Sequence, residues 1–547
     1  MKKLLAALLF LLAASFINTT QAQELKSSFS PVFEEPKDLD ARIFQCPNGN
    51  TLLFFFTKAG IRVTVYDPTR KVAGRTLLSN ADLPAGAVAQ SNLSGIFSQG
   101  DAVMLFVQYT TGQNPGLYRL TVSSAEGKLL EAAKIADIGE YTRGSAFAMA
   151  FGGVKAKSFY VQKDGQSDAY AVVVFDPFEE TSKRIMLQLY DGKNNEVSSG
   201  YYAFNDEHFK YIDYIGMAVR GTTEVALCTY EYNTKRTGGK ENRLVVSSFK
   251  NGNFEQHTID SADELKKTDG IFLYNAKANL YELLTVTAQG AKGGFFTNTS
   301  TALYSSLIIA INPSDYNVAW GGSIDLGKLE AIEKEWNGKR GKYTGVPVYA
   351  TVNADGSLEI LLQHIFQQTS SHGTNSTVLG DIGLLRYNAK GEQEASAVVP
   401  ARLSADRATM GPLYLKGMDV SSAGVPKQWG LYLAAVADPG FYYFNYFSTP
   451  LGSFVALNQH PKDFDKDPSE TNGVLSGVTN ANAVAYRVAG NELSKFHLFG
   501  EPKGDVDNRF ALFNTGNYSP ETGDYAVLVF EHSGRDKNLR VGWLHCK

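Results

Sequence analysis

The clearest hydrophobic pattern in the chain runs from Val346 to Gly391. Val346, Val348, Ala350 and Val352 alternate with other residues, which is the period of a strand. Asn353, Ala354, Asp355 and Gly356 follow as tight-turn residues. Residues 357–366 are apolar on both faces around Leu358, Ile360, Leu361, Leu362 and Ile365, which predicts a strand buried on both sides. A polar stretch over 367–380 reads as a loop. A third strand is expected over 382–387, closed by Asn388, Ala389, Lys390 and Gly391, and a weaker fourth over 396–399.

The same order of signals recurs along the chain. It predicts strands over 43–46, 52–56 and 61–66, then 95–97, 102–109 and 117–122. A third copy covers 158–161, 170–175 and 185–190. A fourth covers 215–219, 224–230 and 243–249, and a fifth 271–274, 280–287 and 305–311. The unit at Val346 is the sixth. The seventh is irregular: strands are expected over 431–435, 441–447 and 483–488, with a long polar insertion before the last. The eighth has strands over 510–513, 525–530 and 539–544, and no fourth strand follows.

Units of four short antiparallel strands are the blades of a propeller. The expected fold is therefore all-β: a closed propeller of about eight blades, with seven as the alternative. Residues 27–33 are expected to supply the missing strand of the last blade, which would join the two ends and remove the open sheet edges. Separate β-sandwiches, two or three of them, are the competing arrangement. Pro347 fits an innermost strand, because it cannot donate to a ladder and belongs on an edge. The main helical signal lies over 326–343, where Leu329, Ile332 and Trp336 recur at helical spacing. A short helical turn over 260–267, capped by Ser261, is also expected.

Composition sharpens the compartment more than the chemistry. Of 547 residues 44% are hydrophobic, and the net charge of -4 gives no reason to expect nucleic acid as a partner. Met1, Lys2 and Lys3 precede a short apolar run over 4–16, the form of a secretory signal of bacterial type. Cleavage is expected after Ala22 or Gln23, leaving one propeller domain over 24–547 in the periplasm or outside the cell. No cysteine stands at the cut, and no other apolar run is long enough to span a bilayer. The mature protein is expected to be a monomer.

Cys46, Cys228 and Cys546 form neither a disulfide framework nor a metal-ligand spacing. Cys228 lies in an apolar run and reads as a small buried hydrophobe. Cys46 and Cys546 are expected near one face but separated by two strand spacings, roughly 9–10 Å, which is beyond the reach of a disulfide.

In its order of strands the chain resembles β-propeller proteins in general, over nearly all of its length beyond the leader. The marks of a subfamily are missing: no recurring Trp-Asp ending, no kelch double glycine and no sialidase Asp-box. The run Val318, Ala319, Trp320, Gly321, Gly322 resembles a quinoprotein blade but is not repeated. The resemblance therefore implies no catalytic residue and no cofactor.

Local motifs are equally sparse. Asp463, Asp465 and Asp467 are spaced like the start of a calcium loop, but Pro468 and Val474 occupy the places of its Gly and Glu, so a solvated acidic loop is expected and no metal. None of the 8 histidines forms a His-x-His or His-Glu-x-x-His pair, and His364, on a strand, reads as a satisfied structural residue. Long loops over 233–241, 289–304, 367–380 and 448–482 all fall between second and third strands, on the face that also receives the helical insertion. An elaborated face on a rigid scaffold is where binding usually sits. Arg236, Phe295, Phe296 and His372 are the candidate contacts. The favoured reading is a non-catalytic scaffold for a protein or glycan partner of the cell envelope. The alternative is a hydrolase or lyase with a site assembled across blades at the channel mouth.

Overall fold

The computed structural model describes residues 25–33, 40–57, 59–79, 83, 92–111, 114–145, 147, 154–203, 209–233, 242–259, 268–288, 304–337, 343–369, 375–406, 410–416, 443–466, 475, 481–502, 507–533 and 536–547. The expected leader, the helical turn over 260–267 and the strand over 431–435 lie outside the described residues.

Eight antiparallel sheets form a ring, an eight-bladed propeller. Blade 1 comprises Asp40–Gln45, Thr51–Thr57, Gly60–Tyr66 and Val72–Ser79, counted from the channel outward. Blade 2 is Asn92–Gln99, Ala102–Thr111, Asn114–Ser123 and Leu129–Asp137. Blade 3 is Ser158–Lys163, Tyr170–Phe175, Ile185–Tyr190 and Glu196–Tyr201. Blade 4 is Tyr211–Arg220, Glu224–Tyr232, Asn242–Lys250 and Asn253–Ile259. Blade 5 is Thr268–Asn275, Leu280–Ala288, Tyr304–Ile311 and Val318–Ser323. Blade 6 is Val346–Val352, Leu358–Thr369, Asn375–Tyr387 and Gln393–Val399, with Leu403–Asp406 added against the third strand. Blade 7 is Asn445–Thr449, Gly452–Gln459, Asn482–Ala489 and Glu492–His497.

Blade 8 takes its strands from both ends of the described chain. Asp507–Ser519, Asp524–Ser533 and Asp536–His545 are followed on the outside by Lys26–Phe29. Ser27 faces Leu544 and Phe29 faces Gly542, and the backbone of Phe33 donates to Leu539 O at 3.0 Å. The expected closure by 27–33 is thus present, starting one residue earlier.

Apolar cores lie in the seams between blades, which is why the middle strands are apolar on both faces. Tyr170–Phe175 and Glu224–Tyr232 are buried at every position, whereas outer strands such as Glu196–Tyr201 alternate with solvent. One seam cluster joins Ala226, Cys228 and Tyr230 of blade 4 to Leu283 and Ile309 of blade 5. Each fully buried side chain of this size stabilises the ring by about 1.5–3 kcal/mol. All three cysteines are buried and free, and burial pushes the Cys46 and Cys546 thiols up to about 12. They belong to different seam clusters.

Two sequence expectations about long loops fail. Residues 367–380 are not one loop: Leu358–Thr369 and Asn375–Tyr387 continue as a hairpin beyond the blade. The long insertion expected over 448–482 contains the second strand of blade 7, Gly452–Gln459. In the second stretch polar residues sit in a buried strand because other groups satisfy them. Asn458 donates to Ala511 O at 2.8 Å and accepts from Ala511 N at 3.0 Å, replacing a backbone partner with a side chain. Among the described residues the expected helix, α1, spans Gly327–Asn337. Among the described residues no helix is long and apolar enough to cross a membrane, which does not bear on β-barrels.

Candidate functional site at the channel mouth

Successive strands of a blade run in opposite directions, so connections entering a blade share a face with its second-to-third loops. Blade 6 builds most of what is described on that face. Helix α1 packs Leu329 and, less completely, Ile332 and Trp336 against it. Gly383 lets the helix approach: a Cβ there would lie 2.6 Å from the Tyr343 hydroxyl and 2.7 Å from Leu329 Cδ1. Gly383 N instead donates to the Tyr343 hydroxyl at 2.7 Å, which donates to Leu362 O at 3.0 Å. His364, at a bulge in the second strand, meets Glu333 of α1 at 2.7 Å and Thr344 at 3.0 Å. It is the satisfied structural histidine that its position suggested.

Residues 410–416 turn back from this elaboration toward the channel. Met410 N donates to Thr377 Oγ1 at 3.1 Å, and Leu413 N donates to Pro347 O at 2.9 Å on the innermost strand. The Tyr414 hydroxyl donates to Gln363 Oε1. Leu413 is buried with φ 58, a left-handed conformation uncommon for a bulky residue and held here by its surroundings. The turn carries Lys416 to the inner strand of blade 5.

Four charged side chains meet there. Lys416 Nζ donates to Asp269 Oδ1 at 2.9 Å. Lys155, just before the inner strand of blade 3, lies 3.7 Å from Asp269 Oδ2 and 3.8 Å from Asp213 Oδ2. Asp213 and Asp269 stand near the starts of the inner strands of blades 4 and 5. Tyr160, on the inner strand of blade 3, stacks on Tyr214 of blade 4 at 4.0 Å and 21°. Chain from blades 3, 4, 5 and 6 thus converges at one mouth of the channel.

These groups are surrounded by protein yet remain wet. Their side chains are 34% (Lys155), 16% (Asp213), 25% (Asp269) and 29% (Lys416) exposed. They lie neither in the core nor on the outer surface. Burial acts against every charge here. For Asp269 the burial is outweighed by the Lys155 and Lys416 ammoniums, which hold its carboxyl down at about 2. For Lys155 burial is outweighed by Asp269 and Asp213, which hold the ammonium above its ordinary range. For Lys416 burial wins over the Asp269 attraction and the ammonium is pushed down. The Tyr160 hydroxyl is pushed up, by burial first, although Lys155 opposes it.

The four contacts expected from sequence, Arg236, Phe295, Phe296 and His372, lie outside the described residues. At the acidic loop, Lys466 Nζ bonds Asp463 Oδ1 at 2.7 Å, and no group of metal-ligating side chains occurs among the described residues. Lys155, Asp213, Asp269, Lys416 and Tyr160 were not singled out by sequence reasoning. Their one local signal is an acidic residue two or three positions into the innermost strand of two successive blades.

No protein-family model matches this chain, and no curated protein does. Among solved structures it is similar to the polysaccharide lyase Uly1, at 7% identity and TM-score 0.40, covering 83% of this chain and 90% of that one. It is also similar to prolyl oligopeptidase B from Galerina marginata, at 11% identity and TM-score 0.37, covering 92% of this chain and 55% of that one. The N-terminal domain of Nup159 aligns over 96% of both chains at 9% identity and TM-score 0.28. This chain therefore spans about half of the oligopeptidase. Likeness this distant assigns neither substrate nor activity.

Proposed function

We propose that the protein is an exported propeller scaffold that binds a protein or glycan partner of the cell envelope as a monomer. The contact is centred on the channel mouth, with Arg236, Phe295, Phe296 and His372 reaching the partner from the surrounding face. The observation that carries this reading is the convergence of Lys155, Asp213, Asp269 and Lys416 in one partly exposed cluster at the channel mouth. Holding four charges among protein costs desolvation. Clefts with fixed charges and low-dielectric walls also focus field on whatever enters.

A two-carboxylate hydrolase needs one carboxyl held protonated near neutral pH, a role that Asp269, held down at about 2, does not fill.

The test is affinity capture from cell-envelope extract by the mature protein, by the double variant Lys155→Met/Lys416→Met, and by variants shortened over 289–303 or 370–374. Unchanged melting would first establish that each variant is folded. Specific partners should be depleted about tenfold or more in the double variant, the loss expected on removing contacts to a charged group. Retention of every partner by all three variants would place binding elsewhere.

A further inference from the structure

We infer that the channel mouth recognises the hydroxyl groups of a neutral sugar residue. This deepens the binding reading above and rests on it. Lys155 and Lys416 supply two positive charges, and Asp213 and Asp269 two negative ones. At about 4 Å a unit charge pair still interacts strongly in a partly screened protein site. An anion drawn to the lysines would therefore meet opposition of similar size from the aspartates, and a cation the reverse. A neutral ligand avoids that conflict. A sugar hydroxyl, with one donor hydrogen and two acceptor lone pairs, can bond a carboxylate and an ammonium together.

The spacing leaves a place for such a group. Lys155 Nζ approaches Tyr214 O at 3.5 Å, Asp269 at 3.7 Å and Asp213 at 3.8 Å. All three exceed the roughly 2.7–2.9 Å of a charge-assisted hydrogen bond. Lys155 is attracted to both carboxylates while its hydrogens are not closely engaged by either. An oxygen entering from the solvent side can accept from Lys155 and donate to a carboxylate without breaking the short Lys416–Asp269 bond. Tyr160, half-buried beside the cluster and backed by Tyr214, offers an amphipathic ring to the C–H face of a sugar. A peptide is the competing occupant. Its recognition relies on runs of backbone pairing and on pockets for side chains, and the Pro347 carbonyl, one edge group facing this mouth, already accepts from Leu413 N.

The experiment uses the mature protein, calorimetric titration, and saturation-transfer NMR for weak binders. The probes are glucose, galactose, mannose, N-acetylglucosamine and their disaccharides. Galacturonic acid and glucosamine serve as anionic and cationic counterparts, and a library of uncharged tetrapeptides as the competing class. At least one neutral sugar should bind, with its charged counterparts about fivefold weaker or more. Asp269→Asn keeps the shape and removes the charge, and Lys155→Met alters the more exposed cation. Each should weaken binding about tenfold with melting nearly unchanged. Preference for a charged sugar, binding equal in wild type and both variants, or no sugar binding at all would overturn the inference. A tetrapeptide that binds where no sugar does would overturn it too, while leaving the scaffold reading intact. Loss of that reading would instead appear as envelope partners that ignore this face.

Discussion

Two carboxylates of blade 5 are driven in opposite directions. Asp269, on the inner strand at the channel mouth, lies between two ammoniums, keeps 25% of its side chain open, and is held down at about 2. Glu282, on the second strand in the seam against blade 6, is 2% exposed, and burial pushes its carboxyl up to about 7. Asn275 Nδ2 donates to one of its oxygens at 2.8 Å, and the other has no hydrogen-bond partner. The difference is one of surroundings, not residue type: burial opposes both charges, two ammoniums outweigh it at the mouth, and no cation among the described residues does so in the seam. Charges at the mouth remain partly open to solvent, whereas charges in the seams are used up in holding blades together.

The seam pattern is general. An acid near the start of the second strand links to the next blade in several places. Glu224 of blade 4 accepts from the Tyr316 hydroxyl of blade 5 at 2.8 Å, and Glu359 of blade 6 accepts from Ser453 of blade 7 at 2.9 Å. Asp524 of blade 8 pairs with Arg70 of blade 1. In blade 5 the link is indirect, since Asn275 bonds both Glu282 and Gly356 O of blade 6.

If seams carry stability and the mouth does not, damage to the closing seam should have the largest effect. Removing residues 25–33 strips the outer strand of blade 8 and the packing of Phe29 and Phe33 against the ring. Two large, partly buried side chains and their ladder bonds are together worth about 4 kcal/mol. Denaturant unfolding of a chain starting at residue 34 should show a loss of that order. A midpoint equal to that of the mature chain would mean that closure contributes nothing to the seam between blades 8 and 1. That seam would then rest on side-chain bonds such as Trp543 Nε1 to Thr51 Oγ1 at 3.0 Å.

The second effect has the opposite sign. Glu282 holds its proton in the folded state up to about 7, against 4.5 for an unburied glutamate. Between those values the folded protein binds more protons than the unfolded chain, so stability falls as pH rises. Above pH 7 the accumulated penalty is about 3 kcal/mol. Glu282→Gln keeps the acceptor for Asn275 and removes the charge. It should therefore stabilise the protein by about 3 kcal/mol at pH 8, with the gain shrinking toward nothing near pH 4.5. A gain that does not depend on pH would show that Glu282 titrates alike in the folded and unfolded protein.

These two carboxylates also show where sequence reasoning stops. Blades 1 to 5 were legible because strands buried on both faces, such as Tyr170–Phe175, are almost wholly apolar and alternate with Gly, Asn and Asp turns. Blade 7 was not, because Ser453 and Asn458 are polar in sequence yet buried and satisfied in the fold. The helical insertion was legible from the spacing of Leu329, Ile332 and Trp336, but the channel mouth was not. Lys155, Asp213, Asp269 and Lys416 are spread over 262 positions, 155 to 416 inclusive, and only ring closure brings them together. Nothing near Asp269 or Glu282 in the chain says that one carboxyl will be pushed down and the other up.

The smallest expected effect belongs to the mouth. Asp269 is held at about 2, against 3.8 for an ordinary aspartate. Its folded value is depressed, so its contribution is fully present above pH 3.8 and is lost as pH falls through about 2. A fully buried pair with this shift would be worth about 2 kcal/mol, but a quarter-open side chain is screened by water, and about 1 kcal/mol is the better figure. Asp269→Asn should thus destabilise slightly at pH 7, where Glu282→Gln stabilises, and the two variants should converge on the parent protein from opposite sides as the solution is acidified. High salt should erase much of the Asp269 effect and little of the Glu282 effect, because only the first interaction is open to counterions. Thermal melts of both variants at pH 3, 5 and 8, in low and high salt, would measure this. A salt-insensitive loss of several kcal/mol for Asp269→Asn would make the mouth a structural seam like the others, and the contrast between the two regions would fail.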